Sequence, residues 1–361
     1  MEEAQAKRLI ASQGYNVDEI TRIPEGGSHY VFNVNLAGGT EVIAKFENES
    51  KIAADGKRRD HHYNGVLSLE RQRNLCSLVG EAGLPAPEVK GVYSAEGQNF
   101  LLAEKMSGQY WSDFLEDNNH SLAAFTRSLE FLGADIAMLQ RCRFSSFGDV
   151  ISPDRVEPPG ITHFAQRLRY TTDLKLQREA QKGSLHKKEL REVTEYFQRR
   201  LQELSQMSGN VKQTPVFILA DLHARNFFVD SEGKPSGYFD LEFCQAGVPS
   251  LEFGSVALFL YSYYGQKEFE QGRAAFFRGF HDHGGVHDLN DPYNTKLEEV
   301  LGAGYLLSFT TGYHDSKDGL RDLWSAQFKE LLFQTIASEM VPYVAVGDVF
   351  RTKTKQPKEA F

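Results

Sequence analysis

The stretch Phe217-Ile-Leu-Ala-Asp-Leu-His-Ala-Arg-Asn-Phe-Phe-Val-Asp230 constrains the fold more than any other part of the chain. A short apolar run delivers Asp221, His223 and Asn226 into a polar loop, and a second apolar run, Phe227 to Val229, carries the chain away. The turn-rich Ser231-Glu-Gly-Lys-Pro235 then reverses it, and Gly237-Tyr-Phe239 brings it back to Asp240-Leu-Glu242. If the two apolar runs pair as a hairpin, the Asp221/Asn226 loop and Asp240 lie at the same end of it. Three oxygen-bearing side chains then converge. That set suits a hard cation such as Mg²⁺, with one carboxylate left over to orient a nucleophile. An ordinary surface hairpin accounts for Asp230 and its turn, because Asp, Gly and Pro are common turn residues. It accounts poorly for Asp221 and Asn226, which stand five apart between apolar residues.

Asp221-x-His223-x-x-Asn226 followed by Asp240-x-Glu242 resembles the signature of the aminoglycoside phosphotransferase/choline kinase family, small-molecule kinases with a protein-kinase-like fold. The usual His-Gly before the Asp is replaced by Leu219-Ala220, which removes a polar residue and a Gly behind the loop. The resemblance implies an α+β, bilobal chain. Residues 1–105 would form a small N-lobe of antiparallel sheet with one main helix, and residues 106–361 a larger, mostly helical C-lobe. It also implies ATP and Mg²⁺ as cofactors, and transfer of phosphate to a hydroxyl of a small molecule such as an aminoglycoside or other antibiotic, choline or ethanolamine, or a sugar-like metabolite.

Other segments fall in the order such a fold requires. Residues 1–20 read as a short polar helix broken at Gly14. After the glycine pair Gly26-Gly27, the residues Tyr30, Phe32, Val34 and Leu36 alternate as on a strand, and a turn at 37–40 leads into Glu41-Val-Ile-Ala-Lys-Phe-Glu47. A glycine pair alone is a weak phosphate-loop signal. Followed by Ile43-Ala44-Lys45, it matches a kinase nucleotide lid and its phosphate-binding Lys. The resemblance therefore implies that Gly26, Gly27 and Ser28 approach phosphate and that Lys45 holds it. The spacing predicts a helix beginning at an N-cap near Ser68, and in the kinase fold this helix supplies a Glu that pairs with the strand Lys. That role falls to Glu70. Strands at 89–94 and 99–104 precede a hinge at Lys105–Gly108, where Glu104 and Met106 would contact the nucleotide base through main chain. In the catalytic run, Asp221 would accept the acceptor's proton, and Asn226 and Asp240 would hold Mg²⁺. His223 would contact phosphate or brace the loop. Arg225 and Glu242 stand beside the site, either supporting it or as members of a structural ion pair.

Residues 47–67, with Lys57-Arg58-Arg59 and His61-His62, read as an inserted loop, and residues 151–160 as a Pro-rich linker. Helical stripes run over 122–141 and 161–207, the clearest being Leu190, Val193, Phe197, Leu201 and Leu204. The absence of a long activation segment speaks against protein substrates. Two rival readings accompany the kinase one: a catalytically silent nucleotide-binding module, and a metal hydrolase built on the histidines of His281–His287.

Composition narrows the partners. A net charge of -9 argues against a nucleic-acid-binding face. The acidic segment holding Glu268, Glu270, Asp282, Asp288, Asp291, Glu298 and Glu299 leads us to expect an acceptor that is cationic or carries amines. Three scattered cysteines without CxxC spacing fit a reducing cytoplasm, and no apolar run is long enough for a membrane span. The sequence sets no oligomeric state.

Overall fold

A computed structural model of the chain describes residues 1–23, 29–48, 67–208, 213–260, 264–314 and 319–354. The chain opens with helix α1 (Glu3–Ala11), strands β1 (Val17–Ile23), β2 (His29–Leu36) and β3 (Thr40–Glu47), helix α2 (Leu69–Glu81), and strands β4 (Val89–Ala95) and β5 (Gln98–Glu104). The five strands form one antiparallel sheet in the order β1-β2-β3-β5-β4. Strand periodicity sorts its two faces. Phe32, Val34, Val42, Ala44, Phe46, Phe100 and Leu102 are buried with Ala6, Leu9 and Ile10 of α1. Val31, Ile43, Lys45, Leu101 and Ala103 take the other face, which lines a cleft. The register Val31↔Lys45↔Leu101 sets Lys45 in the middle of that second face. A lysine inside a strand is thus aimed into the cleft by its odd position between two buried neighbours.

A helical lobe follows. In chain order it contains β6 (Gln109–Tyr110), α3 (Trp111–Asp117), α4 (Leu122–Leu139), β7 (Gly148–Ser152), β8 (Arg155–Glu157), α5 (Phe164–Lys182), α6 (Lys187–Ser208), β9 (Val216–Ile218), β10 (Phe227–Val229), β11 (Pro235–Tyr238), a 3-10 turn at Leu241–Phe243, β12 (Gln245–Gly247), α7 (Pro249–Phe259), α8 (Gln266–Asp282), α9 (Pro292–Tyr313), α10 (Gly319–Ser338) and α11 (Tyr343–Thr354). Two small sheets, β11-β10-β6 and β8-β7-β12-β9, support the site. One apolar core joins α4, α7 and α8 to β10, and a second joins α5, α6, α9 and α10. Helices α4 and α8 pack at backbone contact. A Cβ on Gly133 would lie 2.0 Å from Phe276 O and one on Gly279 1.9 Å from Glu130 O, so both positions require glycine. The stripe Val193, Phe197, Leu201 and Leu204 is buried as its spacing predicts.

Two expectations about the chain path are corrected. Residues 17–20 are not the end of a polar helix but the start of β1, which pairs with β2. Residues 151–160 are not simply a linker. Val150 pairs with Val156 across a tight turn, both are buried, and the hairpin extends the sheet that contains β9 and β12. Among the described residues, no helix is long and apolar enough to cross a membrane. The loop at 49–66 lies outside the described residues.

Candidate active site

The two apolar runs do not pair with each other, but a hairpin forms across the turn that follows the second run. Phe227 pairs with Tyr238 and Phe228 with Gly237, so the Asp221–Asn226 loop and Asp240 meet at one end. The preceding apolar run, β9, pairs instead with β12, which brings Glu242 and Phe243 alongside. The loop itself is held from below. Ala220 adopts φ 64°, a left-handed conformation that L residues seldom take, immediately before Asp221. Glu252 of α7 accepts a hydrogen bond from Leu219 N at 2.6 Å. Ser255 Oγ accepts one from Leu222 N at 3.3 Å, and Tyr305 Oη of α9 donates to Ala220 O at 3.3 Å. Leu219 and Ala220 are themselves buried. An Ala therefore supplies the backbone geometry for which a Gly is the usual choice. Burial raises the Glu252 carboxyl to about 7, against the opposing hydrogen bonds from Leu219 and Ala220.

Asn226 locks the loop from within. Its Nδ2 donates to Asp221 O at 2.8 Å and to Asp221 Oδ2 at 3.0 Å. With both amide hydrogens directed inward, its Oδ1 remains as an acceptor. His223 Nε2 lies 4.0 Å from Asp221 Oδ2, and its Nδ1 accepts from Arg225 N at 3.2 Å. Burial raises the Asp221 carboxyl above the usual range. His223 and the Asn226 hydrogen bond oppose the rise, while Asp240 and Glu242 add to it. Such a group is a better proton acceptor than a free carboxylate.

Across the cleft, Lys45 Nζ is 3.1 Å from Asp240 Oδ1. Burial disfavours the lysine charge, but the Asp240 and Glu242 carboxylates outweigh it and its pKa is raised. Asp240 sits at φ 59°, heading the 3-10 turn. The cleft between the lobes encloses about 590 Å³. Lys45, Glu104, Met106, His223, Arg225, Asn226, Asp240 and Glu242 all line it. Asp221 is not on that wall but joins it through Asn226. The floor is aromatic: Phe228 lies 4.9 Å from Tyr110 and 4.7 Å from Phe239, and the Arg225 guanidinium rests 5.7 Å above the Tyr110 ring.

Three expectations fare differently. Gly26, Gly27 and Ser28 lie outside the described residues. Glu70 does not meet Lys45. Its exposed side chain pairs with Arg73 at 2.7 Å. The helix N-cap is as predicted, with Ser68 Oγ accepting from Arg71 N at 3.1 Å. The face that turns to the cleft, however, carries Gln72 and Cys76. Helical spacing could have shown this: Gln72, Leu75, Cys76 and Val79 stand at i, i+3, i+4 and i+7 on one face, and Glu70 stands off it. The acidic segment does not reach the cleft either. Glu299 pairs with Arg200, Glu298 with Arg273, and Asp291 caps α9, so local structure absorbs these charges.

Sequence reasoning also missed Arg71, which is buried. Its Nε donates to Val150 O at 2.7 Å, Nη1 to Glu242 O at 2.7 Å and Nη2 to Cys244 O at 2.5 Å. One side chain thus fastens α2 of the small lobe to the large lobe. The histidines near 281–287 do structural work. His281 Nδ1 is 3.0 Å from Gly285 O, His283 Nδ1 is 2.9 Å from Gly279 O, and the His287 ring stacks on Phe277. Among the described residues, no group of three or more His, Cys, Asp or Glu side chains could hold a metal ion. Asn226 and Asp240 offer a smaller set of hard oxygens. That fits Mg²⁺, which commonly takes one or two protein oxygens and completes its shell with phosphate and water.

A two-lobed chain with a lysine and two carboxylates converging at an interlobe cleft has the architecture of the protein-kinase-like small-molecule kinases. Residues 19–289 match the model of the phosphotransferase enzyme family, and the chain belongs to that family. Similar solved structures include a putative fructosamine-3-kinase from Thermobifida fusca, at 18% identity and a TM-score of 0.59, covering 93% of this chain and 96% of that one. A thermostable mutant of the aminoglycoside phosphotransferase APH(4)-Ia shares 15% identity at a TM-score of 0.60, over 93% and 100% of the two chains. A macrolide 2'-phosphotransferase type I shares 13% at 0.55, over 91% and 96%. At these identities the likeness shows the fold. No curated protein matches the chain.

Proposed function

We propose that the protein is an ATP-dependent kinase that phosphorylates a hydroxyl of a small molecule in the cytoplasm. The observation that carries this reading is the meeting of Lys45, from the small lobe, with Asp240 at 3.1 Å across the cleft, beside the Asp221–Asn226 pair. In this reading the nucleotide base lies over the aromatic floor and contacts the main chain of Glu104 and Met106, the point where the lobes join. Lys45 holds phosphate oxygens, together with Gly26, Gly27 and Ser28. Asn226 Oδ1 and Asp240 hold Mg²⁺, which when bound neutralises phosphate charge.

Asp221 has a different task. It lies off the nucleotide wall, at hydrogen-bond distance from Asn226, and its raised pKa suits it to receive a proton. The acceptor hydroxyl gives its proton to Asp221 as its oxygen bonds to the γ-phosphorus. The bond from that phosphorus to the β–γ bridging oxygen breaks, and ADP leaves with the electron pair. Phosphoryl transfer of this kind needs in-line positioning and charge neutralisation more than covalent help. His223 braces the Arg225 end of the loop and lies close enough to Asp221 to stabilise its charge.

The acceptors to test first come from the names of similar structures, a putative fructosamine-3-kinase, an aminoglycoside phosphotransferase and a macrolide 2'-phosphotransferase: hydroxyls of fructosamines, aminoglycosides and macrolides. The experiment is an ATP-consumption screen over hydroxylated metabolites and antibiotics, with Mg²⁺ present and absent. Mg²⁺-dependent ADP formation with one acceptor class supports the reading. Tight nucleotide binding with no turnover across the panel would favour a silent nucleotide-binding module instead.

A further inference from the structure

Glu242 is where three parts of the chain meet. Its Oε1 accepts a hydrogen bond from Gln72 Nε2 of α2 at 2.7 Å and lies 2.7 Å from His29 Nδ1. The His29 and Glu242 side chains are only 2% and 4% exposed. His29 is the first residue of β2 and directly follows the Gly26-Gly27-Ser28 segment in sequence. Glu242 stands two residues beyond Asp240, in the 3-10 turn that Asp240 heads in a left-handed conformation. A buried carboxylate is costly unless donors satisfy it. Gln72 and His29 supply those donors, and they come from two separate elements of the small lobe.

The cleft face of α2 carries Gln72 and Cys76 and no acid, so the helix offers Lys45 no carboxylate. Both carboxylates that raise the Lys45 pKa, Asp240 and Glu242, come from the large lobe. We propose that His29 and Gln72 are positioning residues that act through Glu242. By holding that carboxylate they fix the 240–242 turn, and with it the placement of Asp240 opposite Lys45. The root of β2 and helix α2 are thereby coupled to the phosphate-and-metal end of the cleft. Here Gln72 and Glu242 together do what a helix Glu paired to the strand Lys would otherwise do. Either donor would be replaceable by a group that presents an N–H at the same place, and neither by an apolar side chain of similar size.

The inference rests on the kinase reading, and the test separates the two. A non-hydrolysable ATP analogue is titrated against the whole chain with and without Mg²⁺, for wild type, His29→Leu, His29→Asn, Gln72→Leu and Gln72→Glu, with thermal melting of each. Asn keeps a donor near the position of Nδ1; Gln72→Glu sets a second carboxylate against Glu242. We expect His29→Leu, Gln72→Leu and Gln72→Glu each to weaken the Mg²⁺-dependent affinity by about tenfold, the scale of one lost hydrogen bond to a charged group. Affinity without Mg²⁺ should change by less than about twofold, and His29→Asn should stay within about threefold of wild type. Folded Leu variants with wild-type Mg²⁺-dependent affinity overturn the proposal. So does His29→Asn failing as badly as His29→Leu, because packing alone would then be at stake. If His29→Leu does not fold, the two Gln72 variants decide. No analogue binding by the wild-type chain overturns the kinase reading itself, and this inference with it.

Discussion

Arg71→Leu should be among the most damaging single changes outside the site residues. The guanidinium is buried and donates to three main-chain oxygens, those of Val150, Glu242 and Cys244, at 2.5 to 2.7 Å. Hydrogen bonds from a charged donor are worth ~1.5–3 kcal/mol each, so the gross loss is about 5–9 kcal/mol. Removing a buried charge offsets several kcal/mol of that. A net destabilisation of about 3 kcal/mol remains, and melting should fall by roughly 4 °C in a chain of this size. Arg71→Lys should recover little, because an ammonium cannot reproduce the planar fork that reaches three acceptors at once. The second signature concerns cooperativity. Arg71 joins α2 to the large lobe, so its loss should let the sheet lobe unfold ahead of the helical lobe. Urea unfolding followed by both far-UV circular dichroism and tryptophan fluorescence reads this directly, since Trp111 and Trp324 both lie in the large lobe. Coincident transitions with a midpoint unchanged from wild type would refute the assignment of Arg71 as the interlobe fastener.

Two further changes probe the platform beneath the Asp221–Asn226 loop. Ala220→Gly removes a left-handed Ala, relieving ~1–2 kcal/mol, against ~0.4–1 kcal/mol from the freer unfolded chain; stability by urea titration should stay level or rise, and a loss above about 1 kcal/mol contradicts the loop geometry. Glu252→Gln keeps an acceptor for Leu219 N but cannot ionise. Because the folded Glu252 carboxyl is raised to about 7, its protonated form favours folding below its ordinary value near 4.5, and that stability is lost as pH rises through 7. The variant should therefore gain on wild type by up to about 3 kcal/mol between pH 4.5 and 8, and a constant difference across that range would contradict the burial of a titrating Glu252.

The fold and much of the site were legible because they rest on local pattern. The alternation of β2 and β3 separates Phe32, Ala44 and Phe46 from Val31 and Lys45, and the turn at 231–235 forces Asp240 back toward Asp221. Short elements were harder to read. In β7 and β8 only Val150, Ile151 and Val156 carry an apolar signal, and Pro153, Pro158 and Pro159 mask it. Glu70 was misplaced because an acid in the first turn of a helix reads as a partner for a distant lysine, whereas the heptad-like spacing of Leu75 and Val79 already assigns the inner face to Gln72 and Cys76. Arg71, Glu252 and His29 act on residues 33 to 213 positions away, or on main-chain atoms, and no local pattern announces such partners. In the acidic run between Glu268 and Glu299, Asp291 caps α9 and Glu298 and Glu299 form ion pairs, local uses that composition alone does not reveal.

The central claim is that Asp221 and Asp240 do different things, and one paired titration tests it. Asp221→Asn and Asp240→Ala are each titrated with a non-hydrolysable ATP analogue, with and without Mg²⁺, beside their turnover with the best acceptor from the screen. The account predicts that Asp221→Asn keeps Mg²⁺-nucleotide affinity nearly unchanged while kcat falls by about 10²–10⁴-fold. Asp240→Ala should lose the Mg²⁺-dependent part of nucleotide affinity along with transfer. Full activity in Asp221→Asn, or wild-type Mg²⁺-nucleotide binding in Asp240→Ala, would contradict it.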